Sequence, residues 1–438
     1  MRATTLLNTV LGIKYTRVTG AEFTPDGLVC DVEPTTEIPR CGGCGRQVRK
    51  VYDQRKPRLW RHLDLAGMSL ELRYAPRRLR CPSCGVTTEM VPWADPMSWF
   101  THAFEQTVGY LAQESSKTVV STMMRVAWAT VGAIIGRVVE RMLPHDRLAG
   151  LTHIGVDELS YRKHHKYVTI VVDHKSGRVV WAREGKNADT LRSFFEELGK
   201  ERSALIQAVT IDMSQAYISA VSESAPNAQI IFDRFHVQRL VQDALDEVRR
   251  AEVRTLEEPK ERSALKNTRF ALLKNPWNLT DIEKTKLTEL PKMNKRLYSA
   301  YLLKESFAAI LDRRQPNVVL MKLEEWISWA THSGLKPFAK VARTITKHLD
   351  GIVAYVATGL SNARSEGTNG KVRTITRRSY GLHGASALIA LIHLCCSGLN
   401  LQPVHVLPRF HQTQTRALNC SDPCLIHVDR FRSRFIRI

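Results

Sequence analysis

The chain has 438 residues, 43% of them hydrophobic, which is enough for two or three domains with cores and excludes a wholly disordered protein. Lysine and arginine number 64 against 43 acidic residues, so the net charge of +21 indicates a polyanionic partner, most simply nucleic acid; a merely basic surface is the alternative. The longest charge-free apolar run, residues 385–396, is shorter than the roughly 20 residues of a membrane span. The N-terminus has no signal-peptide pattern, so we expect a cytoplasmic protein without a membrane partner.

Two CxxC pairs predict a zinc site in an N-terminal module, residues 1–100. Cys41 and Cys44 form the first pair, Cys81 and Cys84 the second, and strand-like residues lie between them. Four thiolates complete a tetrahedral Zn²⁺ site, so we expect a zinc-ribbon-like module that holds structural Zn²⁺. Incidental reduced cysteines are the alternative, and Cys30 is open as a substitute ligand. The many arginines of the module suit phosphate contact or a solvated basic face.

Three helices are predicted in residues 101–149. Apolar residues recur at helical spacing over residues 104–114, 117–124 and 130–143, and a short break precedes the last helix. This arrangement is typical of a helix-turn-helix, whose third helix would enter the DNA major groove with exposed residues near its start. The candidates are Trp128, Thr130 and Arg137. A plain helical linker is the alternative.

Residues 150–400 open with a strand that an acid interrupts. Asp157 breaks an apolar pattern, and because burying an unpaired carboxylate is costly, it occupies a polar site or binds a cation. A strand hairpin, a helix over residues 188–198 and a short strand ending at Asp212 follow. This order is the start of a ribonuclease H-like domain, in which the first and central strands lie side by side. Asp157 and Asp212 are therefore expected to share one site, where divalent cations would relieve their repulsion.

The next short strand, residues 229–232, is followed by Asp233 and His236. Functional groups often lie at the carboxyl ends of strands in α/β sheets, so these two residues are candidates for contact with DNA near the scissile phosphate. Capping of the following helix is the alternative. Residues 238–350 lack strand patterning and predict a helical insertion.

Residues 359–383 contain a single acid among basic residues. Asn362, Glu366, Asn369 and Arg373 recur at helical spacing and share one face, so Glu366 is a candidate metal ligand with the two asparagines as accessory groups. A surface glutamate paired with arginine is the alternative. The candidate phosphate-binding cations are Arg364, Lys371, Arg373, Arg377 and Arg378. Residues 401–438 predict a basic, partly disordered tail.

Four segments carry a family resemblance: GVDE around Asp157, TIDMS around Asp212, FDRFHV after residue 231, and SNARSEGTNGKVRTITRRSYG around Glu366. They resemble DDE transposases of bacterial insertion sequences. The CxxC module followed by a helix-turn-helix makes the chain most similar to the ISL-three family, over residues 38–400. SNARSEGTNGK is the most specific segment.

The resemblance implies a multidomain α/β protein: a zinc-ribbon-like module, a helix-turn-helix (residues 101–149) and a ribonuclease H-like DDE catalytic domain (residues 150–400) with a helical insertion. It implies that Asp157, Asp212 and Glu366 form a catalytic triad that binds Mg²⁺ or Mn²⁺. The expected activity is metal-dependent strand cleavage and strand transfer on double-stranded DNA, at terminal inverted repeats and target sites. A homo-oligomer, dimer or higher, is expected in a synaptic complex on the bacterial nucleoid. A transposase-derived DNA-binding regulator and a nuclease without strand transfer are the alternatives.

Overall fold

The computed structural model describes residues 2–162, 166–266, 268–360, 363–379 and 384–402, and within these ranges it gives the backbone alone for residues 162, 260, 261, 264, 266, 363–366 and 369. The chain divides into two compact units. The first comprises Met1–Tyr110 with the described part of Leu401–Ile438, and the second comprises Leu111–Asn400. The predicted tail, residues 403–438, lies outside the described residues.

The first unit begins with a helix, α1 (Ala3–Leu11). Leu7 and Leu11, one helical turn apart, pack against the core beside Val18. Gly12, with φ of 54°, ends the helix in the left-handed conformation that glycine adopts readily. Eight strands follow: β1 (Thr16–Thr24), β2 (Gly27–Pro34), β3 (Arg40–Cys41), β4 (Val51–Gln54), β5 (Arg58–Leu65), β6 (Met68–Tyr74), β7 (Arg77–Cys81) and β8 (Gly85–Met90).

These strands form two four-stranded sheets. The order is β1-β2-β6-β5 in the first sheet and β3-β8-β7-β4 in the second. Trp60, Trp93 and Leu70 fill the core of the first sheet. Cys30 packs in that core and does not belong to the group of four sulfurs that could hold a metal ion. The second sheet carries the two CxxC pairs, and the zinc-ribbon expectation is confirmed in its arrangement.

The predicted trio of helices is present as α2 (His102–Glu114), α3 (Lys117–Met124) and α4 (Trp128–Met142). The boundary between the two units falls within α2, so α3 and α4 belong to the second unit. These two helices are bent by 101° about a short break, as in a helix-turn-helix. Among the described residues, no single helix is long and apolar enough to cross a membrane, although this bent pair passes that test by length and composition.

A five-stranded sheet forms the centre of the second unit. Its strands are β9 (His153–Arg162), β10 (Lys166–Asp173), β11 (Val179–Glu184), β12 (Ala208–Ile211) and β13 (Gln229–Phe232). The order β11-β10-β9-β12-β13, with β9, β10 and β11 antiparallel and β12 and β13 parallel to β9, is that of a ribonuclease H-like sheet. The predicted fold class is therefore confirmed.

Helices cover both faces of this sheet. On one face, Val156, Val171 and Ile211 pack against α5 (Ala188–Leu198) and α7 (Gln215–Ser224), with the short α6 (Lys200–Ser203) between them. On the other face, Leu159 and Ile170 pack against two later helices, α16 (Ala363–Arg378) and α17 (Ala385–Cys396). Alternate residues of each strand thus face opposite helical layers, as the pleat requires.

Between β13 and α16 the chain is helical, and the predicted insertion is confirmed as a helical segment. Its helices extend the core that covers the α5–α7 face. They are α8 (Arg234–Thr255), α9 (Pro259–Lys266), α10 (Arg269–Leu273), α11 (Asp281–Met293), α12 (Lys295–Leu311), α13 (Pro316–His332), α14 (Lys336–Lys347) and α15 (Leu349–Thr358).

Candidate active site and zinc centre

Three aspartates lie on three neighbouring parallel strands: Asp157 within β9, and Asp212 and Asp233 directly after β12 and β13. Thr210 lies opposite Gly155 in the β9–β12 pair, so two residues further the register sets Asp212 opposite Asp157. Ile211 lies opposite Phe232 in the β12–β13 pair, which sets Asp233 beside Asp212 on the other side. Because side chains alternate along a strand and neighbouring strands are about 4.8 Å apart, the three carboxylates share one face of the sheet. The structure therefore brings the predicted pair together and adds Asp233 to it.

Local hydrogen bonds orient the first two carboxylates. Asp157 Oδ1 accepts from the Glu158 amide at 2.7 Å, and Asp212 Oδ1 accepts from the Ser214 amide at 2.9 Å, in the turn that precedes α7. Asp157 is half-buried and faces the same side of the sheet as Leu159, on which α16 packs. Each carboxylate is held by backbone that the fold itself positions, which favours a preorganised site.

Asp233 and His236 form an ion pair beside these acids. His236 Nδ1 lies 3.2 Å from Asp233 Oδ2, and Asp233 is only 3% exposed. The adjacent Asp233 carboxylate raises the pKa of His236 most, and the negative charges of Asp157 and Asp212 raise it further. Asp233 occupies the N-cap position of α8, but its side chain makes no capping hydrogen bond there. The capping alternative therefore explains where Asp233 lies in the chain but does not explain what its carboxylate does.

Glu158, next to Asp157 in β9, also lies in the negative potential of these carboxylates. Burial raises the pKa of Glu158 most, and the charge of Asp212 raises it next. The side chain of Tyr217, on α7, forms a hydrogen bond with Glu158. The Tyr217 hydroxyl also lies 2.9 Å from Thr169 Oγ1. Sequence reasoning passed over Glu158, although two consecutive acids within an apolar strand were a visible signal. Such a potential attracts cations, and carboxylates are the donors that Mg²⁺ and Mn²⁺ prefer.

The third predicted acid lies on α16. The backbone of Glu366 belongs to this helix, and its side chain lies outside the described part of the structure. The same holds for the side chains of Arg364 and Asn369, and Asn362 lies wholly outside the described residues. Val372 on the same helix packs against Leu159, so α16 covers the sheet face that carries Asp157.

The remaining cations of α16 divide into two kinds. Arg373 and Arg377 are exposed and line a cavity of about 290 Å³ that Glu158 and other residues of β9 also line. Lys371 and Arg378 instead make internal hydrogen bonds. Lys371 Nζ donates to the Cys395 carbonyl at 2.6 Å, and Arg378 donates to the carbonyls of residues 112 and 113. The structure thus gives these two cations, predicted to bind DNA, a role in anchoring the helix.

The residues expected to read DNA are less exposed than the sequence suggested. Trp128, Thr130 and Arg137 on α4 are all half-buried, because the helix packs closely on its neighbours. The ammonium of Lys117 lies 3.4 Å from the centre of the Trp128 ring and covers one of its faces. The expectation that these three side chains are exposed was wrong.

The four predicted cysteines converge. The sulfur atoms of Cys41, Cys44, Cys81 and Cys84 all lie within 4.8 Å of one another, and the Cys44 and Cys81 sulfurs are 3.6 Å apart. Zn–S bonds of about 2.3 Å in a tetrahedron place sulfurs about 3.8 Å apart, so the group fits Zn²⁺. Among the described residues this is the one set of three or more ligating side chains within reach of a single ion.

Electrostatics around these sulfurs also favour a cation. The Thr87 hydroxyl, 3.1 Å from the Cys41 sulfur, lowers the pKa of Cys41 to about 6 and so favours its thiolate. The neighbouring sulfur of Cys44 raises the pKa of Cys84 to about 12. Four thiolates therefore need a compensating positive charge, which Zn²⁺ supplies.

Comparison with known families decides what this architecture is. Residues 154–392 match a family described as transposase, of the DDE type of the ISL3 group. That match spans more than half of the 438 residues and contains the strand ends, the helical insertion and α16. The chain belongs to the ISL3 family of transposases.

The rest of this ISL3 transposase matches in the same order. Residues 37–84, which contain all four cysteines, match the zinc finger of the transposases of IS204, IS1001, IS1096 and IS1165. Residues 89–139 match the helix-turn-helix domain of transposase family ISL3. The helix-turn-helix interpretation is thereby confirmed over the plain linker.

Two transposases of known insertion sequences are similar to this chain along most of their length. The transposase for insertion sequence element IS1557 of Mycobacterium tuberculosis is 39% identical over 432 residues, which cover 91% of this chain and 96% of the relative. The transposase for IS1001 of Bordetella parapertussis is 28% identical over 353 residues, covering 80% and 87%. The ISL3 transposase is a DNA-binding polynucleotidyl transferase that uses a divalent metal ion, and its zinc ribbon holds structural Zn²⁺.

Proposed function

We propose that this transposase binds the terminal inverted repeats of its insertion sequence and cuts and joins DNA strands there with Asp157, Asp212 and Glu366. The observation that carries the proposal is the register of β9 and β12, which sets two half-buried carboxylates side by side on one face of the sheet. Support for Glu366 comes from the packing of α16 over that same face.

Each acid has a proposed role in holding metal. Asp157 and Asp212 bind the divalent cations, and Glu366 completes one of the metal sites. Mg²⁺ or Mn²⁺ supplies the positive charge that activates water or a 3′-hydroxyl and stabilises the leaving oxygen. The amides that bond to Asp157 and Asp212 keep their carboxylates oriented, which lowers the reorganisation needed during reaction.

The neighbouring cations act on the DNA backbone. We assign Arg373 and Arg377 to phosphate contact, because both are exposed beside β9. His236, held by Asp233 next to the two catalytic aspartates, is an accessory donor to phosphate oxygens near the cleaved bond. Asn362 and Asn369, four residues before and three residues after Glu366 in the sequence, are proposed as further accessory groups.

The proposed regions divide the work. Residues 1–100 and 101–149 bind the element's ends through the zinc module and the helix-turn-helix, with Trp128, Thr130 and Arg137 near the DNA. Residues 150–400 carry out catalysis on the ends and on target DNA, and 401–438 add a basic tail. Because both ends of an element must be cut and joined together, the active form is a homo-oligomer, a dimer or higher. It works in the bacterial cytoplasm on nucleoid DNA.

Cleavage and joining on a labelled duplex that carries the element's ends test this function. Wild type should cleave and join with Mg²⁺ or Mn²⁺, whereas Asp212→Asn and Glu366→Gln should bind the ends and do neither. Glu201→Gln, an exposed acid on α6, is the matched control and should retain activity.

Each other outcome has a definite meaning. Specific binding without cleavage by any of the proteins supports a DNA-binding regulator, and cleavage without joining supports a nuclease. Loss of end binding in Asp212→Asn means that this acid is structural. Full activity in Glu366→Gln removes that residue from the site.

A further inference from the structure

A cavity of about 730 Å³ opens on the first unit, beside the zinc centre. One wall is the turn that carries Cys41 and Cys44, together with Thr87 of β8, whose hydroxyl touches the Cys41 sulfur. The segment between β8 and α2 also lines the cavity, through Pro96, Met97 and Trp99. We call this cavity the knuckle groove. Its volume lies within the range of pockets that enclose a small organic group.

The knuckle groove is basic. Arg55 and Lys56, both exposed in the connection between β4 and β5, line it together with Arg58. None of its lining residues, all of which lie within the described part of the chain, is acidic. Burial and the charge of Arg55 both lower the pKa of Arg58, so these cations repel one another. An anionic ligand would relieve that repulsion.

The same groove exposes large apolar side chains. Trp99 is 63% exposed and Met97 is 86% exposed, and both line the cavity. Basic side chains beside an open aromatic ring match the chemistry of a nucleotide, whose phosphate is anionic and whose base has a flat π-face.

Trp99 is held rigidly although it is exposed. The Arg58 guanidinium lies 4.3 Å from the Trp99 ring centre and 4.5 Å from that of Trp60, so it is stacked between them. Trp60 is buried and meets Trp93 edge-on at 5.6 Å in the core of the first sheet. A continuous stack therefore anchors one face of Trp99, and its rigidity lowers the entropy cost of binding to the exposed part of the ring.

We propose that the knuckle groove binds an unpaired nucleotide of a DNA strand, with the base stacked on Trp99 and the flanking phosphates on Arg55 and Lys56. A duplex interior hides its base faces, so an exposed and anchored indole favours single-stranded DNA over a continuous duplex. The inference rests on the proposed function for the source of such strands, because strand cleavage at an element's end exposes unpaired nucleotides. The groove thereby adds recognition of strand ends to recognition of the repeat.

Fluorescence anisotropy with the full-length, zinc-loaded protein tests this. The probes are a labelled 12-nucleotide single strand and a blunt 12-base-pair duplex of the same sequence. Stacking of one base contributes about 1–3 kcal/mol, so Trp99→Ala should weaken single-strand binding by about 5-fold to 150-fold and change duplex binding less than about two-fold. Trp99→Phe should retain most of the affinity. Trp277→Ala, which removes a 75% exposed tryptophan elsewhere, should change neither.

Lys56→Ala provides an independent measure, because it leaves the aromatic stack intact. It should lower the salt slope of single-strand binding by about 0.7. Equal weakening of both probes by Trp99→Ala, or no change for the single strand, overturns the proposal. Asp212→Asn should bind the single strand like wild type, so the groove stands or falls separately from the proposed active site. If Asp212→Asn cleaves DNA normally and single-strand affinity still depends on Trp99, only the proposed active site is refuted.

Discussion

Arg377 and Arg378 are adjacent on α16, yet their surroundings differ in a way that predicts opposite phenotypes. Arg377 is exposed at the cavity beside β9. Arg378 is half-buried and donates to two main-chain carbonyls near the end of α2, one of them at 3.3 Å. Replacing each by alanine therefore removes a proposed DNA contact in the first case and a helix anchor in the second.

The magnitudes follow from these contacts. A hydrogen bond from a charged donor stabilises a fold by about 1.5–3 kcal/mol, and water replaces part of it at a half-buried site, so Arg378→Ala should cost about 2 kcal/mol. In a unit of this size that lowers Tm by about 4 °C. Arg377→Ala should change Tm by less than about 1 °C, because exposed substitutions alter stability little. It should instead lower the salt slope of duplex binding by about 0.9, the effect of one lost phosphate contact.

Thermal unfolding by circular dichroism and end binding at three salt concentrations measure both effects. Arg378→Lys keeps the charge but cannot form the same fork of hydrogen bonds, so its Tm should fall between those of wild type and Arg378→Ala. Equal losses of Tm in the two alanine variants would refute the reasoning. So would an Arg378→Ala protein with normal Tm and a reduced salt slope.

Three further predictions concern zinc, pH and salt. The isolated protein should hold about one Zn²⁺ per chain and Cys81→Ser should hold almost none, by elemental analysis; unchanged zinc content would contradict the four-sulfur site. Burial lowers the pKa of His393 to about 4, so folding favours its neutral form, and the stability present above the unfolded pKa of about 6.5 is lost as pH falls towards 4. His393 is only 7% exposed, and between pH 7 and pH 5 the free energy of unfolding should fall by about 2 kcal/mol. The Tm of His393→Gln should fall less than that of wild type over this interval. An identical fall would exclude His393 as its cause. Affinity for the end duplex should drop at least about ten-fold from 50 to 200 mM salt, and a flat response would argue against phosphate contacts.

The zinc site was predictable because its geometry is nearly local. Each CxxC pair bends two sulfurs towards one point, and only the pairing of the two turns depends on the fold. The structure brings Cys44 and Cys81 to 3.6 Å through the pairing of β7 and β8 and of β3 and β8. The spacing in the sequence therefore contained almost all of the information.

The neighbouring positions of Asp157 and Asp212, the proposed catalytic pair, were predictable for a different reason. Asp157 interrupts a strongly apolar strand and Asp212 ends one, and the order of strands and helix between them is typical of a ribonuclease H-like sheet. Asp233 was harder to place, because its position beside Asp212 depends on the parallel register of β13. An aspartate between a strand and a helix, such as Asp233, can be either a helix cap or a site residue, and the sequence pattern is the same in both cases.

Tertiary contacts also engage side chains that the sequence leaves open. Trp128 was expected on an exposed helix face, and this was wrong because Lys117 covers its ring. Arg378 donates to carbonyl groups distant in sequence, and its contact with DNA stays a prediction. Charge and helical spacing show which residues can bind phosphate; they do not show which ones the fold has already engaged.

The sequence by itself determined the strands, most helices, the zinc ligands and the two acids, because periodicity and short motifs act over a few residues. Only the tertiary structure decided which groups become neighbours: Asp233 beside Asp212, α16 over Asp157, and Trp99 stacked on Arg58 above a buried tryptophan. These contacts join residues far apart along the chain, and they arise from sheet register and core packing. Local propensities do not predict such pairings, because these contacts stabilise the protein only after the elements have packed together.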